Sequence, residues 1–505
     1  MKTNKIIIVG GGSAGWMAAA TLKSQFPNKN ITVIESSNIP TVGVGESTLG
    51  FINYWLDLLD IKDEDFMPHT DASYKLSIRF EDFYKKGDGG FHYPFGQAVE
   101  NDKTGRKELW FDKKFQNPHL PVTDYANWLY PNMALVNNNV LFKNEDKEIK
   151  DFDFKYHTAY HFDATKFGLW LKNNYCIPRG VNHILDDIIT IEQNDDGILS
   201  LNNTHKADMF IDCTGFKSML LGQTLKENFN NYNHLLPNNK AWATRVPYKD
   251  KEKELQPYTN CTAIENGWVW NIPSWERIGT GYVYSDKYVS DEDALKEFKK
   301  HLDSKGSDYS NSEFKNIKMR VGIHDRLFVK NVCAIGLSAG FIEPLESNGL
   351  LSVHEFLINL VKVMKRGDGD SISQWDRDNF NLACKNFFDN FTEFVSMHYA
   401  LSHRDDTKYW RDVSNKSFYD NRLTDKGIKA DIETKMNKYD YLISNSGHHC
   451  VGVGFRYFGY DVITNELTEN DIITIKYREK LVREWDYLCK NKPSLLKFLK
   501  DNIHK

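Results

Sequence analysis

The first thirty-five residues admit very few folds. Ile6-Ile7-Ile8-Val9 is a short run of β-favouring apolar residues, Gly10-Gly11-Gly12-Ser13-Ala14-Gly15 interrupts it, and Trp16 to Ser24 has helical spacing. Strand, glycine turn and helix in that order predict the opening unit of a parallel α/β sheet. Gly10 permits the tight turn, Gly12 lets the backbone approach a pyrophosphate, and Gly15 allows close packing of the helix. Ser13 and Ala14 lie within the turn, and the helix start beyond them directs unpaired NH groups at phosphate oxygens. Ile31-Thr32-Val33-Ile34 then reads as a second strand ending at Glu35, 20 residues past Gly15, where a carboxylate can accept hydrogen bonds from a ribose diol. The pattern predicts a dinucleotide site without separating FAD from NAD.

Three later stretches favour FAD. Gly43-Val44-Gly45-Glu46-Ser47-Thr48 reads as a second glycine-rich turn, while Met209 to Gly215 and Val332 to Gly336 each read as a strand running into a glycine. Each brings backbone near a ligand. No second complete GxGxxG exists for NAD(P)H, so electrons are expected on flavin reduced elsewhere or through a weakly bound donor.

The rest of the composition narrows the partners. A net charge of −5 gives no sequence-wide basic field, which argues against nucleic acid. Seven scattered cysteines without a CxxC argue for reduced thiols and against a zinc site, and no metal is expected. Three glycines break the N-terminal apolar run too early for a signal peptide, and no segment reaches the ~18 uncharged apolar residues of a membrane span. The expectation is a cytoplasmic protein away from membranes.

Two motifs carry the chemistry. In Trp268-Val269-Trp270-Asn271-Ile272-Pro273, read as a strand, Trp268 and Trp270 share one face and Pro273 ends the pairing. That makes either an aromatic wall or ordinary sheet packing. In Phe341-Ile342-Glu343-Pro344-Leu345-Glu346-Ser347-Asn348-Gly349, the following Leu350 to Met364 is an amphipathic helix ending at Gly367. The amides of Ser347, Asn348 and Gly349 then lie at a helix N-terminus, which suits an anion such as a halide; locally, an N-cap by Ser347 or Asn348 is the alternative.

With these motifs in order, the chain resembles the flavin-dependent halogenases of the tryptophan halogenase family. The likeness rests on the GxGxxG and GVGEST turns, Tyr74-Lys75-Leu76, Tyr160-His161-Phe162-Asp163-Ala164, Ile211 to Phe216, WxWxIP, the FxxPxxSxG pattern from Phe341 to Gly349, His398-Tyr399, and Arg404-Asp405-Asp406-Thr407 with Trp410. It runs to about residue 411 and thins beyond. The resemblance implies that reduced FAD, oxygen and a halide (chloride, bromide or iodide) give hypohalous acid, which travels to an aromatic substrate, and that a separate flavin reductase supplies FADH2. It also allows a homodimer.

On the family's pattern, Lys75 is the catalytic lysine, donating a hydrogen bond to hypohalous acid or, as a neutral amine, forming a haloamine. Glu346 is the catalytic glutamate that orients the electrophile and takes up the ring proton. Ser347 positions the electrophile, and Asn348 and Gly349 offer the halide-binding amides. Gly10, Gly12, Ser13, Ala14, Gly15, Glu35, Gly45, Glu46, Ser47, Gly215 and Gly336 are the cofactor-binding set. Trp268 and Trp270 stand beside the tunnel and keep substrate from the flavin.

For the substrate, Phe91-His92-Tyr93-Pro94-Phe95-Gly96 resembles the family segment facing the aromatic ring, with His92 and Phe95 as its candidate groups. Beyond residue 411 the amino-acid-binding signature of tryptophan-specific members is not found. Gly447-His448-His449-Cys450-Val451-Gly452-Val453-Gly454 stands there, and adjacent histidines on a strand would point to opposite sides. The expected substrate is an indole, a phenol or a related electron-rich aromatic, with free tryptophan as an alternative. An aromatic monooxygenase and a flavin-binding sensor are the rival functions. The expected fold is α/β: a three-layer β/β/α, Rossmann-like FAD-binding lobe over residues 1–345, with inserted strands and an Asn194-Asp195-Asp196-Gly197 hairpin turn. A mainly helical substrate lobe over 346–505 is expected to pack with it as one unit.

Overall fold

The structure, a computed structural model, describes residues 1–39, 45–99, 109–414, 443–457 and 467–505. The chain divides into two compact units, each assembled from three separated segments. Met1–Ala72, His161–Ala241 and Ile317–Thr392 form the first; Ser73–Tyr160, Trp242–Asn316 and Glu393–Lys505 form the second.

The first unit is built on a parallel sheet ordered Phe328–Val329, Val332–Ala334, Met209–Asp212, Lys5–Val9, Asn30–Glu35, Asn182–Leu185. Only the Phe328–Val329 edge runs antiparallel to its neighbour. Ile6, Ile7, Ile8 and Val9 are all buried, as an unbroken apolar run must be when both faces of a parallel sheet are covered. Val9 registers with Asp212 on one side and Ile34 on the other, and Asp212 with Ala334. The ends of these strands therefore line up on one edge, where such folds place ligands. The sheet is Rossmann-like and the whole chain mixed α/β, as read from the sequence.

The Leu351–Arg366 helix also belongs to the first unit, although the sequence reading divided the chain at residue 345. Its apolar stripe, including Leu357, Leu360 and Val361, is buried, and it packs against the Ser13–Gln25 helix. Hydrophobic burial thus joins this helix to the dinucleotide-type strands. Every regular element after residue 350 among the described residues is a helix.

In the second unit, neighbouring strands run in the order Gly90–Pro94, Ser77–Glu81, Tyr258–Ile264, Gly267–Pro273, Ile278–Tyr284. Alternation on Gly267–Pro273 sends Val269 to a core shared with Tyr282, Tyr284 and the Ala294, Phe298 and Leu302 side of the Asp291–Lys305 helix. Trp268 and Trp270 take the opposite face, with ring centroids 6.2 Å apart. The strand ends at Pro273.

Two local readings change. Residues 447–454 lie in a helix, Ile443–Gly454, where a strand was assumed. A Cβ at Gly447 would press on Phe394 and Tyr93, and one at Gly454 would overlap the Phe91 ring, so the glycines let the helix lie directly on the aromatic strand Gly90–Pro94. Gly45-Glu46-Ser47, read as part of a turn, is a strand paired antiparallel with Ala159–Asp163; Gly43 and Val44 lie outside the described residues. The Asn194 to Gly197 hairpin forms as read, with Gly197 at φ +129°. No helix among the described residues is long and apolar enough to cross a membrane.

Candidate active site

Three glycine turns found separately in the sequence, at Gly10 to Gly15, Gly215 and Gly336, are drawn toward one another in the first unit. At Gly10, φ is +112° and a Cβ would overlap the Cys213 carbonyl; at Gly15 it would overlap the Gly10 carbonyl. Only hydrogen fits at either place. The Ser13–Gln25 helix begins after Gly12, which is extended and makes no side-chain cap, so no side chain covers the helix amides there. Ser13 Oγ donates to the Ala164 carbonyl at 2.8 Å, which fixes the helix start from behind. Gly336, at φ +76°, closes on Ala14: a Cβ there would stand 2.9 Å from the Ala14 Cβ and 3.6 Å from Val353 Cγ2. Gly215, at φ +66°, has open space where its Cβ would be.

Glu35 ends its strand as anticipated, with partners the sequence did not suggest. Its Oε1 accepts from Lys172 Nζ at 2.7 Å and pairs with His183 Nε2 at 2.6 Å. A Cβ on Gly11 would overlap the other carboxylate oxygen, so this glycine, outside the fingerprint, makes room for Glu35.

The Phe341–Gly349 motif folds as a short 3-10 turn, Pro344–Glu346, followed by Ser347 in the left-handed region at φ +58°. The Ser347 amide donates to the Pro344 carbonyl at 3.1 Å. The Leu351–Arg366 helix begins two residues after Gly349 and has no side-chain cap, so neither Ser347 nor Asn348 caps it. Glu346 is 0% exposed and Asn348 5%. Asn348 Oδ1 is buried with no hydrogen-bond partner among the described residues. Burial of such an acceptor is costly, and sites that bind ligands tolerate it. Glu46, assigned to the cofactor in the sequence reading, faces this loop: a Cβ on Gly349 would stand 2.8 Å from Glu46 Oε2. Loss of hydration pushes the Glu46 carboxyl up to about 7. Ser47 pairs with His161 on the neighbouring strand and is buried.

In the second unit, Lys75 ends the strand Ser73–Lys75 and is 0% exposed. Its ammonium lies 4.9 Å from the Phe95 ring centroid. Ser73 Oγ donates to the Pro273 carbonyl at 2.6 Å, tying the lysine strand to the end of the WxWxIP strand. The Trp270 indole lies over Gly281, where a Cβ would overlap its ring. His92 Nδ1 bonds Ser77 Oγ at 3.0 Å, and its ring meets Tyr258 edge-on at 5.1 Å. Burial, then the nearby Arg79 guanidinium, pulls its pKa down to about 3, so it is a neutral imidazole at ordinary pH. The structure thus brings Lys75 to Phe95 and ties the lysine strand to the tryptophan motif.

The Arg404 to Trp410 motif has a structural explanation. Arg404 forks onto Asp406 at 2.9 and 2.7 Å and covers the Trp410 ring, whose Nε1 donates to the Ile264 carbonyl at 2.7 Å. The Trp410 bond fastens the Lys408–Val413 helix to the end of the Tyr258–Ile264 strand.

Comparison with known proteins now decides the family. The family model described as tryptophan halogenase matches residues 5–458, well past the point where the sequence motifs thin. The chain belongs to the tryptophan halogenase family. It is 35% identical to a tryptophan 6-halogenase, SttH, of Streptomyces toxytricini, over 83% of this chain and 82% of that protein. It is 32% identical to the tryptophan 7-halogenase RebH of Lentzea aerocolonigenes, over 86% and 82%. The apo structure of VirX1 superposes with a TM-score of 0.88 at 38% identity, covering all of both chains. As a flavin-dependent halogenase of this family, the protein is an oxidoreductase that halogenates an aromatic substrate and uses FAD and a halide. Halogenases of this family generally take reduced flavin from a separate reductase.

Proposed function

We propose that this halogenase makes hypohalous acid from a bound halide and delivers it to an indole, a phenol or a related electron-rich aromatic. The observation that carries the reading is Lys75: an ammonium fully removed from water, on the family's lysine motif, against an aromatic ring. A buried lysine is costly unless it is paired, hydrogen-bonded or neutral, and lysines so placed cluster at functional sites.

The residues in the first unit fit FAD. The Gly10, Gly12 and Gly15 turn with Ser13 and Ala14, the uncapped helix, Gly336 and the open side of Gly215 suit a pyrophosphate and its nucleotide, and Gly45 to Ser47 complete the set. Glu35 retains carboxylate acceptor capacity for a ribose. Bound there in reduced form, FAD supplies the electrons that activate oxygen. Asn348 and Gly349 hold the halide through backbone amides, with Ser347 beside them. Lys75 Nζ either donates a hydrogen bond to the OH of hypohalous acid or, as the amine, carries the halogen. The Glu346 carboxylate orients the electrophile and accepts the proton lost when the ring regains aromaticity. Trp268 and Trp270 form an apolar wall that keeps the substrate ring from the flavin, and His92 and Phe95 face that ring.

Free tryptophan is the second reading, favoured by the names of the relatives, which are tryptophan 6- and 7-halogenases. Both readings meet one experiment. The protein, a flavin reductase and chloride, bromide or iodide are incubated with a panel of indoles, phenols and tryptophan, and products are read by mass spectrometry. A halogen isotope pattern that appears only with halide supports the proposal. Oxygenated product formed equally without halide would replace it with a hydroxylase.

A further inference from the structure

Two motifs from opposite ends of the first unit's sequence meet at one glycine. Glu46 lies on a strand whose register is fixed by pairing with Phe162, so the backbone from which its side chain extends is held in place. That carboxyl rests against the Cα of Gly349: a Cβ there would stand 2.8 Å from Oε2 and 3.5 Å from both Cδ and Oε1. No residue other than glycine fits unless Glu46 moves. One residue earlier, Asn348 buries an amide oxygen that has no hydrogen-bond partner among the described residues. A buried polar side chain and a half-buried acid therefore lie on the same loop approach.

A charged carboxylate in this position repels an anion at the neighbouring amides, whereas a neutral acid does not. The titratable groups on the elements packed here are Tyr160, His161 and Asp163 on the paired strand and Glu343 and Glu346 on the loop. Asp163 is committed to the amides of Thr165 and Lys166. Loss of hydration alone raises the Glu46 carboxyl to about 7, so its charge changes in the neutral range.

We propose that Glu46 gates the Asn348–Gly349 loop: as a neutral acid it admits a halide, and as a carboxylate it excludes one, so that halide and proton are taken up together. The proposal rests on the halide reading of this loop. It matches the net chemistry, in which reduced FAD, oxygen, a halide and one proton give oxidised FAD, hypohalous acid and water. The proton that the reaction consumes enters with the halide that it consumes.

Bromide binding to the full chain, without substrate or turnover, tests it through the bromine NMR line width between pH 6 and 8.5. For the unaltered protein the dissociation constant should rise above pH 7, approaching tenfold per pH unit, the slope of a single proton. Glu46→Gln and Glu46→Ala should both bind with a flat profile, near the affinity of the unaltered protein at pH 6. A flat profile in the unaltered protein, or the same slope retained in either variant, overturns the gate. The first of these needs no variant to fold. Bromide bound with flat affinity would remove Glu46 alone, whereas no bromide bound at any pH would remove the halide reading of the loop as well.

Discussion

The Lys75 ammonium stands 4.9 Å from the centroid of Phe95, and both side chains are buried. A desolvated cation over an aromatic face gains about 2 kcal/mol, enough to hold the amine in one place. Phe95→Leu keeps an apolar side chain but loses the ring's negative face. It should lower kcat/KM for halogenation by about tenfold with FAD binding unchanged, whereas Phe95→Tyr should retain most activity. Steady-state kinetics with flavin absorbance checks both.

Gly10→Ala should abolish flavin binding. Its φ of +112° and the Cys213 carbonyl leave no room for a methyl group, so the turn must open. The expected result is at least a hundredfold weaker FAD affinity, read from flavin fluorescence, in a protein whose second unit still unfolds cooperatively in urea.

His354, in the first turns of the Leu351–Arg366 helix, gives stability a pH dependence. It is 1% exposed, and burial holds its pKa at about 3 against an ordinary 6.5. Between those values the unfolded chain takes up a proton that the folded chain refuses, so the contribution is complete above pH 6.5 and lost as pH falls toward 3. At pH 5 the loss is about 2 kcal/mol. Urea denaturation should show the gap between pH 7 and pH 5 shrinking by about that amount in His354→Leu.

Much of this was legible because local patterns and tertiary structure agree. Ile6 to Val9, Ile31 to Ile34, Met209 to Asp212 and Val332 to Ala334 are apolar runs ending at a glycine or an acid, and a buried parallel sheet demands such runs. Trp268 and Trp270 share a face because strand period leaves no alternative. Residues 447–454 misled because glycines disfavour an isolated helix, while here Gly447 and Gly454 let a helix reach Tyr93 and Phe91. The packing of the Leu351–Arg366 helix against Ser13–Gln25 is a contact that periodicity cannot locate. The approach of Glu46 to Gly349 had no local signal at all.

Gly281 bears on the tryptophan wall. A Cβ there would overlap the Trp270 indole and stand 2.6 Å from the Trp242 carbonyl. Gly281→Ala should cost about 1–3 kcal/mol of stability and move the indole, seen as a shift in tryptophan emission and a loss of halogenated product.

The central claim is that halogenation runs through the buried amine of Lys75. Its most direct test compares the unaltered protein with Lys75→Met, both loaded with FAD and supplied with reductase, bromide and an indole, by mass spectrometry of the products. Brominated indole from the unaltered protein and none from Lys75→Met, at equal flavin occupancy, is the predicted result. Brominated product at an undiminished rate from Lys75→Met would contradict the account.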